Sequence, residues 1–476
     1  MDFNGILDTI DGYVWGIPLI AIVLCTGLLL TFRLKLLQVF HLPKALKFMV
    51  SNEEDGEGEV SSFGALCTAL SATVGTGNIV GVATAICLGG PGALFWMDVA
   101  AFLGIATKYA EGVLAVKYRT LDSRGKVLGG PFNYIEMGIK ERFGKNVKWM
   151  AVVFAVFGTL AGLMGIGTIT QVNGITTALN SMIPSSELFV LAGNSISYTT
   201  AITGAIVTVL VALVILGGLR RIAKVTTIIV PFMILAYVGS CLILLICNIT
   251  EIPAAIATIC KSAFNGGALA GGAMGTIFVA MQKGIARGIF SNEAGLGSAP
   301  IATAAAKTKE PVRQGLVCMT GTFIDTIIVC TMTGLAVVIT QAWVQSDAAG
   351  NALEGAAVTM YAFAHGLPFA KVVSELILCC SLAAFAFTTI LGWNYYSEKC
   401  LQYLLGGKRI GATIAFRWVY VLAVFIGPYL TVSAVWTMAD IFNGLMAFPN
   451  LIALILLSGI VGRETKKYFD KHHSKK

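Results

Sequence analysis

The chain of 476 residues predicts an all-α polytopic membrane protein. Three observations carry that reading. Hydrophobic residues make up 56% of the chain against 12% charged, apolar runs recur along its whole length, and two of those runs are interrupted by glycine where a plain spanning helix would carry Leu or Ile. Crossing about 30 Å of hydrocarbon takes about 20 apolar residues in a helix, and the runs here reach that length.

The first apolar run, 14–32, follows a start that carries Asp2, Asp8 and Asp11 and no basic residue. A cleaved signal peptide needs a positive leading region, so this run is expected to stay as a span. Residues 36–50 place an apolar stripe opposite His41, Lys44 and Lys47, as a helix lying along the membrane surface would. With the acidic loop 53–59, residues 1–61 form an extra transmembrane helix plus an interfacial segment.

The second run, 62–88, contains the first glycine-broken stretch, 69–81, with Thr73, Gly75, Thr76, Gly77 and Asn78 at its centre. In the third, 92–118, Lys108 and Glu111 stand at i, i+3 and read as a neutralising structural pair near the inner face. The fourth, 147–182, buries Gln171 deep in its length, and 198–216 and 223–247 are plainly apolar. The seventh, 268–290, opens with the second broken stretch, 268–280, which holds Gly271, Gly272, Met274, Gly275 and Phe278. Asn292, Glu293 and Ser298 follow it at what reads as its inner mouth.

Asp325 lies about a dozen residues into the eighth run, 314–343, deep by a rise of ~1.5 Å per residue. It reads equally as a group that tunes gating or as a satisfied buried carboxyl. The ninth run, 372–395, carries Phe385, Thr388 and Thr389, and 410–426 and 432–461 complete eleven spans before a basic tail, 463–476. Ten spans follow the first, and ten divide as five plus five. Five is odd, so a duplicated unit has its second copy upside down: residues 62–262 are the first repeat and 263–462 the second, each opening on a broken span. Paired interruptions of this kind mark the binding site of secondary transporters, because unwound backbone is tolerated at membrane depth only around a cavity.

The net charge of +8 is a matter of placement. Arg33–Lys47, the basic residues from Lys117 to Lys148, Arg220–Lys224, Lys283–Arg313, Lys399–Arg417 and Arg463–Lys476 all fall on one side when the first span runs inward. Basic residues are retained on the cytoplasmic side, so the expectation is a plasma (inner) membrane protein with its N-terminus outside and its C-terminus cytoplasmic. The charge is a topology signal, and no nucleic-acid partner is implied. Eleven cysteines, scattered and without a paired CxxC spacing, read as small buried hydrophobes.

Ser71–Gly81, the run from Gly89 to Met97, the run from Ala106 to Glu111, Gly129–Pro131 and the run from Phe290 to Pro300 together resemble the alanine or glycine:cation symporter family, over nearly the whole chain. The resemblance implies the inverted-repeat fold of the bacterial leucine transporter plus one extra N-terminal helix, and import of small neutral amino acids with Na⁺ or, in some members, H⁺. Asp98 stands where the family's pattern leads one to expect an aromatic residue.

Unwinding the second span across Thr73–Gly77 exposes peptide N–H groups at the start of the outer half-helix, where the macrodipole is worth roughly half a positive charge. Thr76 and Gly77 amides, with Gly75 and Asn78 beside them, are the expected carboxylate holders. Gly271, Gly272, Met274 and Gly275 are the expected ammonium side, and Met274 and Phe278 the walls of a small side-chain pocket. Close helix packing explains the same glycines, and core packing the same Met and Phe. Gln171 suits either end of a zwitterion or an interhelical hydrogen bond.

For Na⁺ the candidates are the carbonyls of Ser71, Val74 and Phe385 and the hydroxyls of Thr388 and Thr389, all un-ionised oxygens; by resemblance this is the sodium position between the first and eighth core helices. The two threonines have the alternative of bonding their own helix carbonyls. No cofactor beyond Na⁺ as coupling ion is implied, and the partners are a small neutral amino acid, Na⁺ and the lipid bilayer. Oligomeric state stays open.

An intramembrane enzyme is disfavoured because all four histidines, His41, His365, His472 and His473, fall outside the spans. A channel would use repeated filter rings rather than two inequivalent broken helices. The reading is Na⁺-coupled uptake of alanine or glycine by alternating access; coupling to protons, or another substrate such as serine or glutamine, is the alternative.

Overall fold

A computed structural model describes residues 3–51, 56–121, 126–191, 194–264, 273–347, 350–407, 410–430 and 432–473. Among them, nine helices are long and apolar enough to span a membrane: α1 (Gly5–Arg33), α4 (Gly92–Lys117), α5 (Lys148–Met182), α6 (Tyr198–Ile215), α7 (Leu219–Cys247), α9 (Pro311–Ile339), α10 (Lys371–Leu404), α11 (Gly411–Tyr429) and α12 (Val435–His472). The pair α2 (Ser62–Thr73) and α3 (Gly77–Gly89) makes a tenth, bent by 50° at its break. The expected seventh span is α8 (Ala273–Asn292), which is not among the nine; Gln282, Lys283 and Arg287 interrupt its apolar surface.

The spans alternate between an end rich in Lys and Arg, where Ser62, Lys117 and Arg313 lie, and a far end with Gly89, Asn248 and Gly366. Helix α4 runs through the middle, packed on α1, α8 and α9. Its crossing with α9 is close because both sides are small: a Cβ on Gly112 would stand 3.0 Å from Gly315 Cα and 2.8 Å from Cys318 Cβ. Helix α10 packs on α2, α5 and α7, and α12 closes over α1 and α5.

The all-α expectation holds for the spans, with two short ribbons between them. Two antiparallel ribbons, Thr120–Leu121 with Val127–Leu128 and Glu187–Leu191 with Asn194–Ser197, form in connections at opposite ends, where chain leaving a helix pairs its peptide groups with a neighbour. Within the expected tail 463–476, the described residues to His473 continue the helix Val432–His473, and Lys471 Nζ bonds Glu310 Oε1 at 2.8 Å.

The basic end is closed by chain that the sequence left without a role. Val60 pairs in parallel with Ala306, and Glu59 and Val60 amides donate to Ala305 O. The Arg119 guanidinium gathers the carbonyls of Ala304 (2.8 Å), Ala306 (2.6 Å), Thr308 (2.8 Å) and Glu57. Glu59 meets Lys399 at 3.5 Å and accepts from Val127 N at 2.9 Å.

Candidate functional site

The bent span supplies the centre of the site. Val74 leaves helical geometry with ψ 93°, so the helical bonds across it lapse. Gly75 N, which a continuous helix would close onto Ser71 O, donates to Asn78 Oδ1 at 2.8 Å; Thr76 N, which would close onto Ala72 O, donates to Gln171 Oε1 at 3.3 Å. Two carbonyls thereby lose their helical partners at the end of α2, and two amides at the start of α3 rest on side-chain oxygens. Thr76 is fully buried and its Oγ1 has no hydrogen-bond partner. A buried polar atom left so costs roughly 1–3 kcal/mol unless a ligand meets it.

Space at the break is set by glycine. A Cβ on Gly75 would stand 2.5 Å from Thr389 Oγ1 and 3.5 Å from Gln171 Oε1, so the bare backbone is what lets α10 and α5 approach. On the other side Gly77 faces Phe290 and Ser291, and the Phe290 ring stacks on Trp436 at 5.4 Å.

The Na⁺ candidates lie together. Thr389 Oγ1 donates to Phe385 O at 3.0 Å and reaches Val74 O at 3.4 Å, tying α10 to the break. Ser71 Oγ is 2.8 Å from where a Cβ on Gly392 would sit, which puts α2 directly against α10. Thr388 Oγ1 also donates to Phe385 O, at 3.0 Å, and touches Met233 Sδ at 3.4 Å. Both threonines thus hold their own helix carbonyl, and Thr389 alone of the two bridges to α2. Five oxygens of hard, un-ionised type fit a monovalent cation.

The expected second break, 268–280, is described only from Ala273 onward, where the chain is helical. Gly271 and Gly272 lie outside the described residues. Met274, Gly275 and Phe278 belong to the continuous helix α8, and Ala280 and Lys283 on it pack against Gly89 at the far end. Phe278 is therefore roughly 20 Å up the helix from Ser291 at ~1.5 Å per residue, away from Thr76. Helix α8 stops at Asn292, the backbone takes positive φ at Glu293 (57°), Gly295 (89°) and Gly297 (84°), and a short helix, Ala299–Thr303, resumes. The readable signal was Gly295 and Gly297 in the Asn292–Ser298 segment.

That break lies at the depth of the first. A Cβ on Gly104, midway along α4, would meet Ala294 at 2.9 Å, and Ser291 abuts Gly77. Asn292, Glu293 and Ser298 are thus buried mid-molecule rather than at a mouth, and Lys283 and Arg287 lie toward the far end instead of the basic one. Arg287 is matched there by Asp440, Nη1 to Oδ1 at 3.2 Å and Nη2 to Oδ2 at 2.6 Å.

Lys108 and Glu111 interact electrostatically but do not bond each other directly. Lys108 Nζ donates to Asn292 O at 2.7 Å, placing an ammonium at the negative C-terminal end of α8. Glu111 Oε1 accepts from Asn450 Nδ2 at 2.7 Å, Asn450 Nδ2 also holds Gly295 O at 2.9 Å, and its Oδ1 takes the Tyr134 hydroxyl.

The hub linking both breaks is Asp325, on the π-helical turn Phe323–Cys330 of α9. Its Oδ1 accepts from Asn78 Nδ2 at 2.8 Å; its Oδ2 accepts from Ser291 Oγ at 2.9 Å and Thr326 Oγ1 at 2.7 Å. Gly77–Gly81 is π-helical as well, and such turns gather at functional sites.

The full chain, residues 1–476, matches the model of the sodium:alanine symporter family. The chain belongs to that family. An uncharacterized transporter of Haemophilus influenzae is 50% identical over 472 residues, 99% of this chain and 97% of the relative. The sodium/alanine symporter AgcS of Methanococcus maripaludis is 47% identical over 98% of both chains, and the probable sodium/glutamine symporter GlnT of Bacillus subtilis is 35% identical over 97% of this chain and 90% of its own. Membership in a symporter family accounts for a multi-pass helical protein whose polar groups converge on interrupted helices.

Proposed function

We propose that this protein is a Na⁺-coupled importer of a small neutral amino acid, alanine or glycine. The observation that carries the reading is the break at Val74–Thr76, where helix-start amides, an unpartnered buried hydroxyl and helix-end carbonyls come together. In this reading the substrate carboxylate takes the Thr76 and Gly77 amides and the Thr76 hydroxyl, displacing Gln171 Oε1, which stands there as an oxygen substitute. Gln171 and Asn78 then orient the zwitterion. Na⁺ sits on the carbonyls of Ser71, Val74 and Phe385 with Thr389, and with Thr388 when its hydroxyl turns.

Phe290, packed on Gly77, takes the size-limiting role that sequence reading gave to Phe278 and Met274. In this reading it limits the substrate side chain to a hydrogen or a methyl group.

The architecture follows the same proposal: α1 stands outside a five-plus-five inverted repeat, α8 with Ala299–Thr303 is the inverted partner of α2–α3, and α8 supplies the eleventh span. The two breaks run antiparallel at one depth, as that symmetry requires. The N-terminus is outside, the basic end is cytoplasmic, and the sealed basic end with an enclosed site is one state of an alternating-access cycle. The test is uptake into proteoliposomes with an imposed Na⁺ gradient at fixed pH. Alanine or glycine uptake that competes with the other and outcompetes serine and glutamine supports the reading; uptake driven by a proton gradient without Na⁺ overturns it.

A further inference from the structure

The charges buried at mid-molecule do not balance. Among the described residues, the ionisable Asp, Glu, Lys and Arg side chains exposed to 1% or less are Lys108, Glu111, Glu293 and Asp325. They comprise three carboxyls and one ammonium. Lys108 is within electrostatic reach of all three, yet its hydrogen bond goes to the Asn292 carbonyl. Charge left without a partner inside a membrane is expensive, so a cation or a proton must accompany these groups.

Hydrogen-bond polarity shows which form Asp325 holds. Asn78 cannot be turned round, because its Oδ1 already accepts Gly75 N at 2.8 Å; its Nδ2 therefore donates to Asp325 Oδ1. Ser291 and Thr326 hydroxyls both donate to Oδ2. Every side chain bonded to Asp325 can donate to it, and the Asn78 amide can only donate, an environment that suits an ionised carboxylate. Hydroxyls, unlike the amide, can rotate and turn lone pairs inward. Asp325 Oδ2, Ser291 Oγ and Thr326 Oγ1 would then present three oxygens to one point, with Asn292 Nδ2 steadying Thr326 Oγ1 at 3.0 Å from outside.

We propose that Asp325, Ser291 and Thr326 form a second Na⁺ position, distinct from the one on Thr389 and linked to the first break through Asn78. The ion neutralises Asp325 and fixes Ser291, which abuts Gly77; Asn78, bonded to both Asp325 and Gly75, carries the effect to the amides proposed for the substrate. The groups facing Asp325 are Asn78 from α3, Ser291 from α8, Thr326 and Cys330 from α9, and Lys108 and Glu293 at longer range. The linkage, though not the ion position, rests on the transport reading above.

The experiment is Na⁺-dependent thermal stabilisation of the purified protein without amino acid, with N-methylglucamine balancing ionic strength. The expected wild-type Na⁺ dependence is sigmoidal; in Asp325→Asn it becomes hyperbolic with half-saturation raised about tenfold or more, the weight of a lost charged ligand. Ser291→Ala and Thr326→Val keep the carboxylate and move the curve the same way by less, and they decide the matter if Asp325→Asn fails to fold. A wild-type-like curve in all three variants overturns the proposal. So does stabilisation of the wild type by acid in Na⁺-free buffer that Asp325→Asn abolishes, since that makes Asp325 a proton site. A wild type that shows the Na⁺ response but transports no neutral amino acid sinks the transport reading and leaves the ion position standing.

Discussion

Asn78 and Asp325 are joined twice, Asn78 Nδ2 donating to the Asp325 carboxylate at 2.8 Å and to its backbone carbonyl at 3.1 Å, while the other end of the same amide holds Gly75 N. One side chain thus fixes the shape of the first break and fastens it to α9. Asn78→Ala removes all four contacts of the amide at once, one of them to a charge and one to Cys330 Sγ, and leaves Asp325 short of a donor in a buried site. The expected loss is about 3 kcal/mol or more of stability, read as a lowered melting temperature in detergent together with weakened substrate binding. Asn78→Asp is expected to be worse, because it sets two carboxylates against each other.

Gly75→Ala tests whether the approach of α10 to the break matters for the ion. The added methyl would occupy space 2.5 Å from Thr389 Oγ1, a contact that forces α10 or the break to shift. Na⁺ activation of uptake is expected to fall at least as far as in Thr389→Ala, while Thr388→Ala, which loses a bond within its own helix and a contact to Met233, has the smaller effect. Equal Na⁺ dependence in Thr388→Ala and Thr389→Ala would remove the distinction drawn between them.

How much of this was legible in the chain depends on the kind of signal. Apolar run length is a local property and located α1, α4 to α7 and α9 to α12, and the polar residues inside 69–81 marked the first break correctly because Gly75, Thr76 and Asn78 are poor choices for lipid-facing helix. The interruption after Asn292 went unread because glycine content was weighed over charge. The 268–280 stretch is richer in Gly and Ala, whereas Gly295 and Gly297 sit beside Glu293, which reads as surface until Ser298 Oγ is seen donating to it at 2.6 Å. Missing that interruption also put Lys283 and Arg287 at the wrong end. Long-range partners were invisible altogether: nothing in the order of residues pairs Lys108 with the Asn292 carbonyl, or Glu59 with Lys399.

Lys108→Met is expected to be among the most damaging single changes, for the ammonium caps α8 and, among the described residues, is the one buried positive charge near Glu111, Glu293 and Asp325. Removing one partner of such a cluster costs about 3–5 kcal/mol. Low expression and early unfolding of Lys108→Met, with partial recovery in Lys108→Arg, would fit; a stable Lys108→Met would show that the carboxyls are protonated in the resting protein.

The Arg287–Asp440 pair gives a test of burial energetics, since it joins α8 to α12 beside Trp15, whose Nε1 donates to Asp440 O at 2.9 Å. Either single change, Arg287→Met or Asp440→Leu, leaves a desolvated charge and is expected to destabilise by about 3 kcal/mol or more, while the double change removes both charges and restores much of that. A double-mutant cycle on melting temperatures measures the coupling, and additive losses would mean that the pair is solvated.

Arg119 binds four carbonyls on two separate chain segments at the basic end, and those segments are the one leading into α2 and the one following Ala299–Thr303. Both breaks therefore feed their basic-end halves into one clamp, and opening that end requires Arg119 to let go. Arg119→Ala leaves the carbonyls to water and removes about 1 kcal/mol or more for each charged bond lost, enough to shift the conformational balance by tenfold or beyond. A cysteine placed at Ala306, now fully buried, is expected to react with a charged thiol reagent faster in the Arg119→Ala background than in wild type. Because Na⁺ in the sites would hold the clamped form, added Na⁺ is expected to slow the reaction in both; a rate indifferent to Arg119→Ala would mean that the 56–61 and 304–308 segments part by another route.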